Sequence, residues 1–301
     1  MKNKIGILII TIVIIVAAVS CQHIMAAMDY GARAAGSAGV LDRNAADAIS
    51  VSSRAIGNAA QEITPEQEYY IGRAVAANIL SNYRIWNGSP AVTAYLNRIC
   101  AAITINSPRP DVFNGYHVAI LDSNEINAFA TSGGHIFVTR GLINIAKSED
   151  ALAGVIAHEV AHIQLQHSIK AIRTSRITQA LMVTGVSAAG AAAGMSVNEL
   201  TDVFNESVGE IVSTLVNNGY SQTQEFEADN TAMRLLASAG YSPSGLIDML
   251  RELRSVQTGS SGFGKTHPTP ARRITNAERT VGNYRVADTR SYRQSRFTSA
   301  R

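Results

Sequence analysis

Two histidines four residues apart, His158 and His162, stand inside the apolar stretch ALAGVIAHEVAHIQLQHSIK of residues 151–170, and that placement leaves few options. On a helix, residues four apart share a face, so both imidazoles can reach one metal ion. Glu159 sits one step round from the first histidine, where its carboxylate reaches a water on that ion. Leu152, Val155, Ile156 and Ile163 make the flanks apolar, which predicts a buried helix, where polar groups need compensation. Ser148 suits the N-cap, and Glu149 and Asp150 complement the positive end of the helix dipole. A surface helix with stray histidines is the bland alternative, and the apolar flanks argue against it.

A catalytic zinc takes three protein ligands and leaves one position for water. The best source of a third ligand is Glu225-Phe226-Glu227-Ala228-Asp229. Glu225 and Asp229 are again four apart, so one can ligate while the other hydrogen-bonds a ligating histidine from behind. Alone, this segment reads equally well as a solvated acidic face. Beside the histidine pair it reads as part of a site.

His158-Glu159-Val160-Ala161-His162 followed by Glu225-Phe226-Glu227-Ala228-Asp229 resembles the HtpX/CAAX-prenyl-endopeptidase family of gluzincin zinc metallopeptidases, in its soluble bacterial envelope (BepA/LoiP-like) branch. Asn127-Ala128-Phe129-Ala130, Gly133-Gly134-His135-Ile136-Phe137-Val138, Gly141-Leu142, Tyr220-Ser221 and a late His267-Pro268 with Arg273-Ile274 extend the likeness over about residues 62–283. Two departures stand out: Thr131-Ser132 where many members carry a Pro, and Gln222 where an Arg is common. The resemblance implies an α+β fold, mainly helical, with a small sheet beside the zinc helix. It implies that His158, His162 and Glu225 hold one Zn²⁺ per chain, that Glu159 handles the proton of the attacking water, and that Asp229 orients a ligand histidine. It places His267 near the cleft, as a gate on the fourth zinc position, an oxyanion donor, or a packing residue of the following helix. It also makes Gly134, His135, Ile136 and Phe137 a sheet edge that pairs with extended substrate, the alternative being an ordinary Gly-turn hairpin. The implied substrates are misfolded or stalled envelope proteins, with envelope assembly machinery as a further partner.

Residues 1–20 combine Lys2 and Lys4 with an apolar run and small residues, which reads as a secretory signal. Ala18-Val19-Ser20-Cys21 resembles a lipobox, making Cys21 a lipidation site, the membrane a partner, and the periplasmic face of the outer membrane the location. An uncleaved anchor is the alternative. Cys100, the other cysteine, is then a lone buried thiol rather than a partner of Cys21. The net charge of +3 falls to about +1 once the two leader lysines are removed, so nothing points to nucleic acid.

The expected organisation is a signal over 1–20, a lipidated spacer and helix over 21–63, the peptidase domain over 64–284 and a disordered basic tail over 285–301. Residues 22–40, rich in Ala and Gly, read as a mobile spacer. Residues 177–198 carry no charge, yet a single membrane crossing there would part the histidines from Glu225. They read instead as small-residue helix packing or a hairpin near the cleft. Residues 199–216 show an amphipathic helical stripe, and 257–265 form a Gly/Ser loop ahead of His267. A rival to the enzyme is an assembly factor or chaperone-like lipoprotein with structural zinc, but such sites fill all four positions with protein ligands. A second rival is a membrane-interaction lipoprotein built on residues 177–198.

Overall fold

A computed structural model of the chain describes residues 21–59, 63–172, 219–256, 267 and 269–300. The signal-like residues 1–20, the uncharged 177–198 stretch, the 199–216 stripe and the 257–265 loop lie outside the described residues. The chain divides into two compact units, residues 1–62 with 171–209, and residues 63–170 with 210–301.

In the first unit, α1 (Cys21–Ser37) and α2 (Arg43–Ala59) pack on each other. The mobile spacer expected at 22–40 is therefore a helix over most of its length. Alanine is the strongest helix former, and a second helix gives α1 a surface to bury. Asp29 accepts from Ser50 across the pair and from Arg33 four residues along at 2.8 Å.

The second unit spans most of the domain expected over 64–284. Its helices are α3 (Pro65–Asn82), α4 (Pro90–Thr104), α5 (Arg140–Ile145), α6 (Glu149–Gln164), α7 (Gln222–Ser238), α8 (Ser244–Val256), α9 (Pro270–Glu278) and α10 (Arg290–Ala300). Thr64 caps α3 through a reciprocal capping box with Gln67, and Pro65 sits at its first turn. Three strands, β1 (His117–Leu121), β2 (Ala128–Thr131) and β3 (His135–Thr139), form one sheet in the order β1-β3-β2, with β1 parallel and β2 antiparallel to β3. Alternation sorts their side chains. Val118, Ile120, Ile136, Val138 and Ala128 join the main core with α4 and α6, whereas Leu121, Phe129 and Phe137 pack with Val75, Ala76 and Ile79 of α3.

The outer side of β1 is bridged by Ile85 to Leu121, and Trp86 donates to the Ile120 carbonyl at 2.7 Å. No strand among the described residues pairs with the outer side of β2. This corrects the expected edge: Gly134, His135, Ile136 and Phe137 belong to the central strand and its entry, with neighbours on both sides. Gly133 and Gly134 have φ of 81° and 100° and turn the β2–β3 hairpin, a conformation that favours glycine. A Cβ on Gly133 would lie 2.7 Å from the Tyr69 backbone, and one on Gly134 2.1 Å from the Gly115 carbonyl. The pair is needed for the hairpin and its packing. His135 stacks on Tyr69, ring centroids 5.7 Å apart.

α6 runs through the core, buried from Glu149 to Ile163. Its N-cap is Ser148, as expected, accepting from Ala151 N at 3.1 Å. α8 crosses it closely, since a Cβ on Gly154 would lie 2.8 Å from Leu246 Cα. The basic tail is a second correction, because α10 folds onto the domain. Phe297 and Arg293 are buried, Arg293 Nε lies 2.9 Å from Asp150 Oδ1, and Arg296 pairs with the buried Glu149, which also accepts from Tyr95 at 2.9 Å. The two acids at the start of α6 thus serve as partners for the tail's arginines as well as for the helix dipole, and the domain extends to residue 300.

Candidate metal centre

One turn of α6 presents His158 and His162 with their Nε2 atoms 3.1 Å apart. α7, started by Ser221 in a capping box with Gln224, brings Glu225 against them. Glu225 Oε2 lies 3.4 Å from His158 Nε2, and Oε1 lies 3.4 Å from His162 Nε2. His267 Nδ1 is 2.9 and 3.0 Å from the two Glu225 oxygens. Donor atoms of these four buried residues all fall within 4.8 Å of one another. The three expected ligands converge, and His267 stands beside them.

Glu159 points into the same space. Its Oε1 has no hydrogen-bond partner among the described residues and lies 3.9 Å from His267 Nε2. Burial pushes its pKa up, against the opposing pull of His267 and His158. Behind the cluster, Asp229 Oδ1 lies 3.0 Å from His158 Nδ1. The buried Arg273 of α9 donates to Asp229 from Nε at 2.9 Å and Nη2 at 2.6 Å, and its Nη1 lies 3.4 Å from Glu225. Burial opposes ionisation of Glu225 and Asp229, yet His267 and Arg273 hold Glu225 well below the ordinary range, and Arg273 and His158 hold Asp229 below it. Burial and Arg273 work against charge on His158, but Asp229 and Glu225 outweigh them and lift it to about 9. Burial dominates at His162 and lowers it to about 3.

This arrangement suits a divalent cation. Three carboxylates, Glu159, Glu225 and Asp229, share a buried site with the Arg273 guanidinium and the His158 imidazole, whose raised pKa shows that the carboxylates favour a positive charge there, a charge a metal cation would supply in place of the proton. The donors are two imidazoles and a carboxylate, the ligand types of a catalytic zinc site.

The model of peptidase family M48 matches residues 90–281. The chain is 31% identical over 188 residues to Metalloprotease LoiP of Escherichia coli strain K12, an overlap covering 62% of this chain and 70% of LoiP. The chain belongs to peptidase family M48.

It is also 26% identical over 227 residues to the Beta-barrel assembly-enhancing protease of the same organism, with 72% of this chain and 43% of that protein covered. With the Mitochondrial metalloendopeptidase OMA1 of Schizosaccharomyces pombe it shares 29% over 194 residues, 62% of this chain and 52% of OMA1. The chain therefore spans about half the length of these two relatives. As an M48 member it is a zinc-dependent metalloendopeptidase, with one zinc per chain.

The M48 centre contains two groups whose roles the sequence reading did not assign. Arg273 entered only as part of the late motif, with no charge role. Its signal is a basic residue beside an Ile at the start of the apolar face of α9. His167 was passed over, although it lies five residues beyond His162. It is buried, and its Nδ1 lies 2.9 Å from His162 Nδ1. Tyr220 stacks on the His162 ring, centroids 4.2 Å apart and planes within 17°. Gln222, one of the departures from the family pattern, accepts from Arg272 at the start of α7 and touches no ligand. Cys100 is a free, buried thiol whose pKa burial raises to about 12, far from reactive.

Proposed function

We propose that this M48 peptidase cleaves extended segments of misfolded or stalled cell-envelope proteins. The observation that carries the reading is the position of β2. Its residues Ala128–Thr131, with the following Ser132, line one cleft together with Glu159, Tyr220 and His267. An extended peptide adds to such an edge through main-chain hydrogen bonds, which fits a substrate chosen for being unfolded rather than for its sequence. Val75, Ile79 and Phe129 give the cleft an apolar wall.

His158, His162 and Glu225 are the residues to hold the zinc, with Asp229 fixing the orientation of His158. When bound, zinc supplies Lewis-acid chemistry that polarises the scissile carbonyl and acidifies water. Glu159 receives a proton at its carboxylate as water adds to the carbonyl carbon. It then delivers that proton to the leaving amine as the C–N bond breaks. His267 stands at Glu225 in the cleft that β2 lines, and we assign it a gating role in the resting site.

The envelope location draws on the signal-like residues 1–20 and the lipobox-like Cys21, which would anchor the protein by lipid at the periplasmic face of the outer membrane. A relative named as a β-barrel assembly-enhancing protease supports an assembly context. The deciding experiment uses purified protein lacking residues 1–21, assayed for zinc content and casein hydrolysis with Glu159→Gln as control. Stoichiometric zinc with Glu159-dependent cleavage is expected. Zinc without cleavage at any condition would favour an assembly factor instead.

A further inference from the structure

Both ring nitrogens of His162 are accounted for in the structure. Nε2 faces His158 and Glu225 in the metal cluster. A neutral imidazole that ligates through Nε2 carries its proton on Nδ1, and that nitrogen lies 2.9 Å from Nδ1 of His167. His167 must then accept at Nδ1 and carry its own proton on Nε2, which lies 3.3 Å from Glu227 Oε2. Each link in this chain forces the next.

We propose that His167 is a positioning residue of the zinc centre, accepting the hydrogen bond of the ligand His162 and tying it to the carboxylate of Glu227. The inference rests on the reading of His158, His162 and Glu225 as the metal ligands.

The backbone supports it independently. α6 stops at Gln164, and Gln166 adopts φ 54°, the one non-glycine residue in the left-handed region among the described residues. Side chains resist that conformation. Gln166 is held there by a 3.1 Å hydrogen bond to Glu68, which Arg109 also meets at 3.1 Å, while Arg109 Nη1 donates to the Ile163 carbonyl at 3.1 Å. On a continuous helix, a residue five beyond His162 would lie about 140° round the axis. The left-handed step instead brings His167 behind the His162 ring.

The two ligand histidines are therefore backed unequally. His158 meets the fully buried Asp229 directly, whereas His162 reaches a carboxylate through a second imidazole, and that carboxylate's side chain is 55% exposed. Loss of His167 should cost more metal affinity than loss of Glu227, because the inner link is buried and the outer one shares its work with water.

The test measures zinc affinity of the full chain by competition with a chromophoric chelator, alongside melting of chelator-treated protein. His167→Asn keeps an acceptor near the Nδ1 position, and His167→Leu fills similar volume without one. We expect His167→Asn to stay within a few-fold of the parent, and His167→Leu to bind zinc about 10–100-fold more weakly. Glu227→Ala should lose several-fold. Chelator-treated His167→Leu should melt no lower than the parent, which a purely structural histidine would not allow. Parental zinc affinity in His167→Leu, or a His167→Asn variant as weak as His167→Leu, would overturn the proposal. If His167→Leu does not fold, the surface variant Glu227→Ala decides: a several-fold loss supports the proposal and parental affinity overturns it. A parent that takes up no zinc would instead overturn the metal-centre reading itself.

Discussion

Asp229 and Arg273 form a forked ion pair with no solvent contact, Nη2 2.6 Å from Oδ1 and Nε 2.9 Å from Oδ2, and the same Nη2 lies 3.1 Å from His158 Nδ1. Charge this deep is tolerated only while paired, and breaking such a pair by removing one partner costs about 3–5 kcal/mol. Arg273→Met is therefore expected to lower stability by that order in denaturant titration, with Asp229→Asn/Arg273→Met recovering part of it. The pH dependence has a definite sign. Asp229 is held below the ordinary carboxylate range, so its stabilisation is complete above about pH 4 and is lost as pH falls through the lower folded value. Without Arg273 that acid limb should move to higher pH. Equal acid midpoints for parent and Arg273→Met would contradict the assignment.

Asp229→Ala acts on both the metal and the fold. It removes the acceptor behind His158, so zinc affinity should fall about 10–100-fold, and it leaves Arg273 buried without its partner, so stability should fall by about 3–5 kcal/mol. Circular dichroism and chelator competition on the same sample separate the two effects. Zinc binding as tight as the parent's would show that Asp229 serves Arg273 alone.

Glu159→Gln should keep zinc and lose hydrolysis. Glu159 lies in the cleft and its Oε1 has no hydrogen-bond partner among the described residues, so the change from carboxylate to amide disturbs no described contact of that oxygen. Loss of the proton acceptor is expected to cost about 10²–10⁴-fold in turnover. Undiminished cleavage by the zinc-loaded variant would remove Glu159 from the mechanism.

The candidate ligands were legible because spacing on a single helix brings side chains to one face: His158 and His162 need only helical periodicity, and Glu225 and Asp229 repeat it on α7. What escaped the sequence depends on contacts between distant elements. The central position of Gly134–Phe137 follows from sheet order, which local alternation in β1, β2 and β3 does not encode. The tail looked disordered because Arg293 and Arg296 have their partners, Asp150 and Glu149, on a helix far earlier in the sequence, Arg296 and Glu149 being 147 positions apart. His167 was hidden for a local reason, since periodicity places it off the face of His162 and only the left-handed Gln166 returns it.

Removing residues 290–301 tests how far the tail belongs to the domain. It exposes the site now covered by Phe297, a burial worth about 1.5–3 kcal/mol, and leaves Asp150 and Glu149 without their arginines. A drop in melting temperature of several degrees is expected, with zinc content per folded molecule unchanged. An unaltered melting temperature would mean that α10 does not stabilise the domain in solution.

His267→Ala decides among three roles for one residue. His267 is buried, with Nδ1 on both oxygens of Glu225 and Nε2 facing Glu159, in the cleft that β2 lines. A gate must leave before cleavage, and its removal should raise basal cleavage of casein or self-degradation. An oxyanion donor acts only in the transition state, so its removal should lower turnover on the order of 10²-fold with little change in KM. A residue that only packs should lower the melting temperature while leaving activity per folded molecule intact. The contact with Glu225 favours the gate, because a donor held on a ligand carboxylate must first give up that bond. Higher specific activity at a near-parental melting temperature is the expected result, and a fall in turnover would assign His267 to the oxyanion instead.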